Sequence, residues 1–385
     1  MRAARRGILL PVILLMTFFS WASLIQAEEK EIVIGQVASL SGNNGADLGQ
    51  GLALGQKIYF EHINAQGGVG GKKIRLITRD DKYLPDETVL LTQELLEREQ
   101  PLALMGYRGT ANTLALVKSG LLEKYKVPLI GTLTGAQDIQ NAPYVFHTRT
   151  SYREELRKLI RQISHMRVEN LAIFYADDAF GKAGLDAVES AVKEFGFTKI
   201  IKKFGYDKSP QAVQRHVNEG AKVLLAENPD AVLLIAVGDP AYQFIAAARA
   251  INPFASIYTM SVINPDAVVE KLGVKTAHGV AFSQVFPFPY SPTLPIVQEY
   301  LALLKKYAAE AKPNYFSMEG FVNAKLLVTA LKRAPKNAGR PELIKVIEEM
   351  GEVDLGGFHL NFSTSHNGST FSELTVIGKS GKLIR

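Results

Sequence analysis

The residues able to do chemistry in this chain gather where short apolar runs give way to loops rich in glycine and threonine. Tyr107-Arg108-Gly109-Thr110 follows the run Leu102 to Met105, and Thr132-Leu133-Thr134-Gly135 follows Val127 to Ile130. Together they offer hydroxyls, free backbone donors and one guanidinium, but no nucleophile beside a base. A threonine at a helix start is ordinarily a cap, worth ~1 kcal/mol to its own helix. Two of them at adjacent strand ends, each next to a glycine, point instead to a cradle for a ligand. Asp177-Asp178-Ala179-Phe180-Gly181, Gly238-Asp239-Pro240 and Ser261-Val262-Ile263-Asn264 repeat the pattern further along. Each reads as capping by itself; together they place polar groups and one aromatic ring on a second wall.

Other chemistries fail on spacing. The chain has no cysteine, so disulfides, thiol catalysis and cysteine-ligated zinc are excluded, and its seven histidines are scattered. Gly49-Gln50-Gly51 with Gly55 imitates a dinucleotide fingerprint, but it stands well past the end of the preceding strand, where the first glycine must form the turn. Gly67 to Lys72 imitates a phosphate loop, yet a strand follows it rather than a helix, so it reads as a hairpin-like turn. Asp80, Asp81 and Asp86 lack the spacing of a calcium loop and read as solvated acids at a strand end. No GxSxG elbow occurs. The sequence implies no enzyme, no metal and no cofactor.

The elements that must hold these loops alternate strand and helix. Ile32 to Ala38 is a buried strand ending at the polar loop Ser39 to Gly45. A helix from about Gly49 to Asn64 and a strand Lys73 to Thr78 follow, and Pro85-Asp86-Glu87 opens another helix. Leu114, Val117, Leu121 and Leu122 recur at helical spacing between the two threonine loops. A second series has strands Leu171–Tyr175, Lys199–Lys203, Ala231–Val237 and Ile257–Met260. Its helices run over about 181–195, 210–226 and 241–251, with Ser209-Pro210 as a start signal. Helices near 294–311, 318–333 and 341–350 come after it, and a strand-like tail begins at Val353. The reading is an α/β chain of two doubly wound parallel-sheet lobes joined by three crossover strands, near 144–150, 279–287 and 353–361. The first lobe takes 28–145 and 284–353, the second 146–283 and 354–385. Two hinged lobes make a cleft that opens and shuts.

Totals agree with a two-lobed globular chain: 385 residues, 47% hydrophobic and 21% charged. The formal charge is +6, of which Arg2, Arg5 and Arg6 supply half, and the remaining basic residues are dispersed among acids, so no nucleic-acid footprint is present. Residues 1–27 read as a signal peptide: three arginines, the uncharged run Ile8 to Ile25, and Ile25-Gln26-Ala27 as a cleavage site. The alternative is an uncleaved anchor, since the run is near membrane-spanning length. With no cysteine at the boundary, lipoprotein attachment is excluded. A periplasmic location follows, with cleavage near Ala27.

In order, IVIGQVASLSG, INAQGGVGGKKIRLITRDD, GYRGTANT, VPLIGTLTGA, ADDAFG and SMEGFVNAKLLVTAL resemble the type I periplasmic binding proteins. More narrowly they are similar to the branched-chain amino-acid-type substrate-binding subunits of ABC transporters, over essentially the whole mature chain. The resemblance implies a monomer that binds a small molecule by hinge closure and delivers it to a membrane permease. In such proteins the loops matching Thr110 and Thr134 hold the ligand's carboxylate, and the loop from Ser41 to Leu48 lines the cleft. Residues matching Phe180, Asp239 and Ser261 to Asn264 close over it. The implied site is therefore Ser41, Tyr107, Thr110, Thr134, Phe180, Asp239, Ser261 and Glu319. Departures exist. Where amino-acid binders place a glutamate for the ammonium group, this chain has Val262-Ile263-Asn264; Phe180 replaces a usual tyrosine, and Leu48 a tryptophan. Asp239 or Glu319 would have to receive the ammonium, because an unpaired cation in a closed cleft costs several kcal/mol. Phe180, Phe286, Phe288 and Tyr290 suit an aromatic or apolar ligand equally, and a larger apolar solute or a sensory role before a membrane receptor stay open.

Overall fold

Runs such as IVIGQVA, ALMGYR, LIGTL and AVLLI are apolar along nearly their whole length and buried on both faces. Parallel strands covered by helices on each side have that composition. The computed structural model describes residues 31–385; the expected signal segment, 1–27, lies outside them.

In the first lobe, strands β1 (Ile32–Ala38), β2 (Ile74–Asp80), β3 (Ala103–Arg108), β4 (Leu129–Leu133) and β5 (Val145–Phe146) form one parallel sheet in the order β2-β1-β3-β4-β5. Helices α1 (Ala46–Ala65), α2 (Pro85–Glu94), α3 (Thr110–Lys118), α4 (Leu121–Tyr125) and α5 (Gln137–Gln140) connect them. The chain then crosses to α6 (Tyr152–His165) and the second lobe. There β6 (Asn170–Ala176), α7 (Ala179–Phe195), β7 (Lys199–Tyr206), α8 (Val213–Leu225), β8 (Ala231–Ile235), α9 (Asp239–Ile251), β9 (Ile257–Thr259), α10 (Pro265–Ala277) and β10 (Ala281–Gln284) alternate. It returns for α11 (Pro295–Tyr307), α12 (Tyr315–Arg333) and α13 (Arg340–Glu348), then forms a hairpin of β11 (Glu352–Asp354) and β12 (His359–Asn361). Strands β13 (Glu373–Ile377) and β14 (Leu383–Ile384) complete the second sheet, whose order is β14-β13-β10-β9-β8-β6-β7.

Four details depart from the sequence reading. The second sheet is mixed, because β13 and β14 join it antiparallel. Helix α10 was not expected, although Asn264 caps it through Asp266 N–H and Pro265 opens it. The third crossing comes later than 353–361: Val353, Leu355, Phe358 and Leu360 of the hairpin region turn into the core around α11 and α12. The crossing backbone runs beside the first one, with His147 N–H donating to His366 O and Gly368 N–H to His147 O. Outside its two-residue β5, the first crossing is a turn at Tyr144, a single bridge at His147 and a bend at Thr148-Arg149 rather than strand.

Helix α12 is buried along almost its whole length and lies against α1. Close approach depends on glycine. A Cβ on Gly55 would stand 1.9 Å from Ser317 O, and one on Gly320 would stand 2.1 Å from Leu52 O. Gly320→Ala is therefore expected to lower stability by about 1–3 kcal/mol through overpacking, read as a reduced urea midpoint at unchanged slope. This packing is what carries Glu319 and Asn323 to the crossing between lobes.

Candidate functional site: the closed cleft between the lobes

In each sheet the strand order reverses between two strands, β1 and β3 in the first and β6 and β8 in the second. Loops diverge there and leave a crevice beyond the carboxyl ends. The two crevices face each other. The space between them is bounded by Leu48, Tyr83, Arg108, Gly109, Thr110 and Leu133 from the first lobe and Tyr152, Phe180, Val237 and Val262 from the second. It is shut: the remaining cavity is about 20 Å³, room for one water. Apolar packing is continuous across it, since Leu48 and Leu133 share one core with Tyr152, Phe180 and Val262.

Polar groups converge at one end. Thr110 opens α3 and Thr134 ends the β4 loop; their hydroxyls are 2.8 Å apart. The Tyr152 phenol lies beside both, and its ring meets Phe180 edge-on at 5.7 Å. Tyr152 is brought there by Ser151, whose hydroxyl caps α6 at Glu154 N–H. Arg108 borders the same cavity, buried, donating to Asn44 O, with its guanidinium carbon 4.4 Å from the centre of the Tyr83 ring. Lys208 of the second lobe covers the same ring at 5.4 Å.

Loops latch the closed form. Asp239 N–H donates to Asn43 O at 3.3 Å, and Asn264 Nδ2 to Asp47 Oδ2 at 2.8 Å. Asp80 binds Leu40 N–H and Ser41 Oγ, fixing the first loop from below. Asp81 is not the solvated acid expected: it is fully buried and accepts from Tyr83 N–H, Thr88 Oγ1 and Asn112 Nδ2.

Of the eight residues named from the sequence, Thr110 and Phe180 line the cavity and Thr134 stands behind Thr110, bonded to its hydroxyl. Tyr107 faces the opposite side of β3, its hydroxyl 2.8 Å from Thr92 Oγ1. Ser41 is exposed at the rim, and Asp239 is a rim residue paired with Lys271 at 3.2 Å. Ser261 and Glu319 belong to a buried network at the crossing. Arg149 stands 3.2 Å from Glu319 and donates to Ser261 Oγ, while Ser261 N–H and Oγ donate to Glu155. Tyr83, Tyr152 and Val237 were missed, and Arg108 was seen only as a guanidinium at a strand end. The alternation of side chains along β3 was the available signal, because it puts Arg108 opposite Tyr107.

Burial pushes the Glu319 carboxyl up to about 7, with Arg149 acting against it. A carboxyl raised on folding holds its proton better in the folded chain, so its contribution falls as pH rises from the unfolded value through about 7. Glu319→Gln is thus expected to gain on the parent protein by roughly 1–3 kcal/mol between pH 5 and pH 8. Urea denaturation of both proteins across that range checks it; a constant difference would refute the assignment.

Other hollows exist among the described residues, and two of them flank this sheet and cleft. One of about 770 Å³ lies at the amino ends of β1 and β3, near Ile32, Leu102 and Arg340, on the far side from the loops. The other, about 420 Å³, is a groove between α3, α5 and α7 that shares Thr110 and Tyr152 with the closed cavity. Among the described residues no group of histidines and acids could hold a metal, and no helix is long and apolar enough to cross a membrane.

A two-lobed α/β clamp with hydroxyls, amide donors and apolar walls at the switch points defines a class of binding proteins. Residues 31–377 match the periplasmic binding protein family, and the chain belongs to it. It is 24% identical over 361 residues to the Leu/Ile/Val-binding protein homolog 7 of Brucella abortus (strain 2308), covering 88% of this chain and 86% of that one. A substrate-binding periplasmic protein from Ralstonia solanacearum superposes with a TM-score of 0.86 at 30% identity, covering 92% and 99% of the two chains. An extracellular ligand-binding receptor from Verminephrobacter eiseniae ef01-2 does so with 0.86 at 29%, covering 92% and 100%. Membership carries a solute-binding role in a type I periplasmic binding fold of the branched-chain amino-acid transporter type.

Proposed function

We propose that this protein is exported to the periplasm, captures a small carboxylate, amino acids among the candidates, between its lobes, and hands it as a monomer to the permease of an ABC transporter. The observation carrying the reading is the hydroxyl cluster of Thr110, Thr134 and Tyr152 at the interlobe cavity. These groups recognise an oxygen-bearing ligand, and among the described residues no histidine or carboxylate lines the cavity beside them; His147 touches Thr132 and Ile139 O instead. Burial holds that histidine down near 4, hence neutral. Ligand favours closure only to the extent that it binds the closed form better than the open one.

Cleavage near Ala27 fits this reading, as does the Leu/Ile/Val-binding name of the Brucella relative. The test is small-angle scattering and thermal denaturation of the purified protein with a panel of amino acids, carboxylic acids, amides and fatty acids. A ligand should raise the melting temperature by several degrees and shift the scattering curve toward the compact form. Profiles that respond to nothing, or turnover of a panel member, would refute it.

A further inference from the structure

Arg108 is the charge that the cleft leaves unanswered. The residue is 2% exposed, one nitrogen donates to Asn44 O, and Nη1 has no partner. Among the described residues no carboxylate forms an ion pair with it. Asp81, bonded to Tyr83 N–H, Thr88 and Asn112, and Asp47, bonded to Asn264, act on it only from beyond ion-pair distance. Burial is the largest influence on the guanidinium and disfavours its charge. A buried cation of this kind is relieved by an anion, and a planar carboxylate matches its fork of donors.

No carboxylate in the cavity wall answers a ligand's cation. Its wall contains no acid; Leu48, Leu133, Phe180, Val237 and Val262 supply apolar surface. The two acids able to receive an ammonium are engaged elsewhere, Glu319 with Arg149 and Asp239 with Lys271. An α-ammonium enclosed here would be unpaired, with a guanidinium nearby.

We propose that the preferred ligand is a carboxylate without an ammonium group, an aliphatic or aryl-alkyl acid, held by Arg108 Nη1 and the Thr110 hydroxyl between apolar walls. The inference narrows the solute-binding reading and rests on it. Because only about 20 Å³ is open, the acid enters the parted lobes and closes them over Arg108.

Matched probes test it by titration calorimetry: 4-methylpentanoate against leucine and 4-methylpentanamide, and 3-phenylpropanoate against phenylalanine. The acids are expected to bind roughly a hundredfold or more tighter than the amino acids and amides. Arg108→Met should abolish acid binding while Arg108→Lys retains part of it. If neither variant folds, the parent protein still decides, since affinity should fall as the probe's own carboxyl is protonated. Leucine, phenylalanine or the amides binding as tightly as the acids would overturn this inference and leave the solute-binding role standing. Silence from every probe would overturn both.

Discussion

Gly238→Ala is expected to hold the lobes apart and weaken ligand capture about tenfold to a hundredfold. Gly238 sits at φ 65°, ψ −148°, a conformation nearly confined to glycine. A Cβ there would lie 2.7 Å from Asn43 O and 2.7 Å from Gly45 N, backbone atoms of the other lobe. The two effects separate. Strain in the local backbone acts in open and closed forms alike and lowers overall stability. The clash exists only when the lobes meet, so it displaces the balance between them by about 1–3 kcal/mol. Scattering should show a larger radius of gyration with or without ligand, and calorimetry a raised Kd. A variant that closes as the parent does would refute the contact as a latch.

Arg149→Met should be the most damaging single change. Arg149 and Glu319 are each 1% exposed, and Glu155 is fully buried. The cation serves one carboxylate from α12 of the first lobe and, through Ser261, one from α6 of the second. Removing it leaves two buried acids without a counter-charge, and breaking a buried pair in this way costs about 3–5 kcal/mol. Lower pH should soften the loss, because Glu319 takes up a proton readily. Adding Glu319→Gln should restore part of it. A urea midpoint within error of the parent would refute the network's role at the crossing.

The α/β architecture was legible because buried parallel strands carry unbroken apolar runs, and Gly and Thr mark their ends. Thr110, Thr134 and Phe180 were legible for the same reason: strand ends in such sheets face the crevice. Other residues were not. Glu319 reads as a possible ammonium partner until α12 is seen packed on α1, which turns it toward Arg149, a residue 170 positions earlier. Tyr152 reads as an ordinary first helical residue, and only the crossing of the chain brings its hydroxyl to the two threonines. Helix α10 was hidden by Gly273, which breaks its period at φ 73°, although Asn264-Pro265-Asp266 is a sound start signal. Long-range pairing decides such cases, and a local pattern does not contain it.

The groove between α3, α5 and α7 stays open while the chamber beside it is shut, and Thr110 and Tyr152 border both. A guest held by its head as proposed, at Arg108 and Thr110, would have an outlet for its far end there, past Leu114, Ile139, Ala183 and Ala187. Discrimination then falls on the head, and tail length goes largely ungraded. A homologous series of tails would be sorted by what they share.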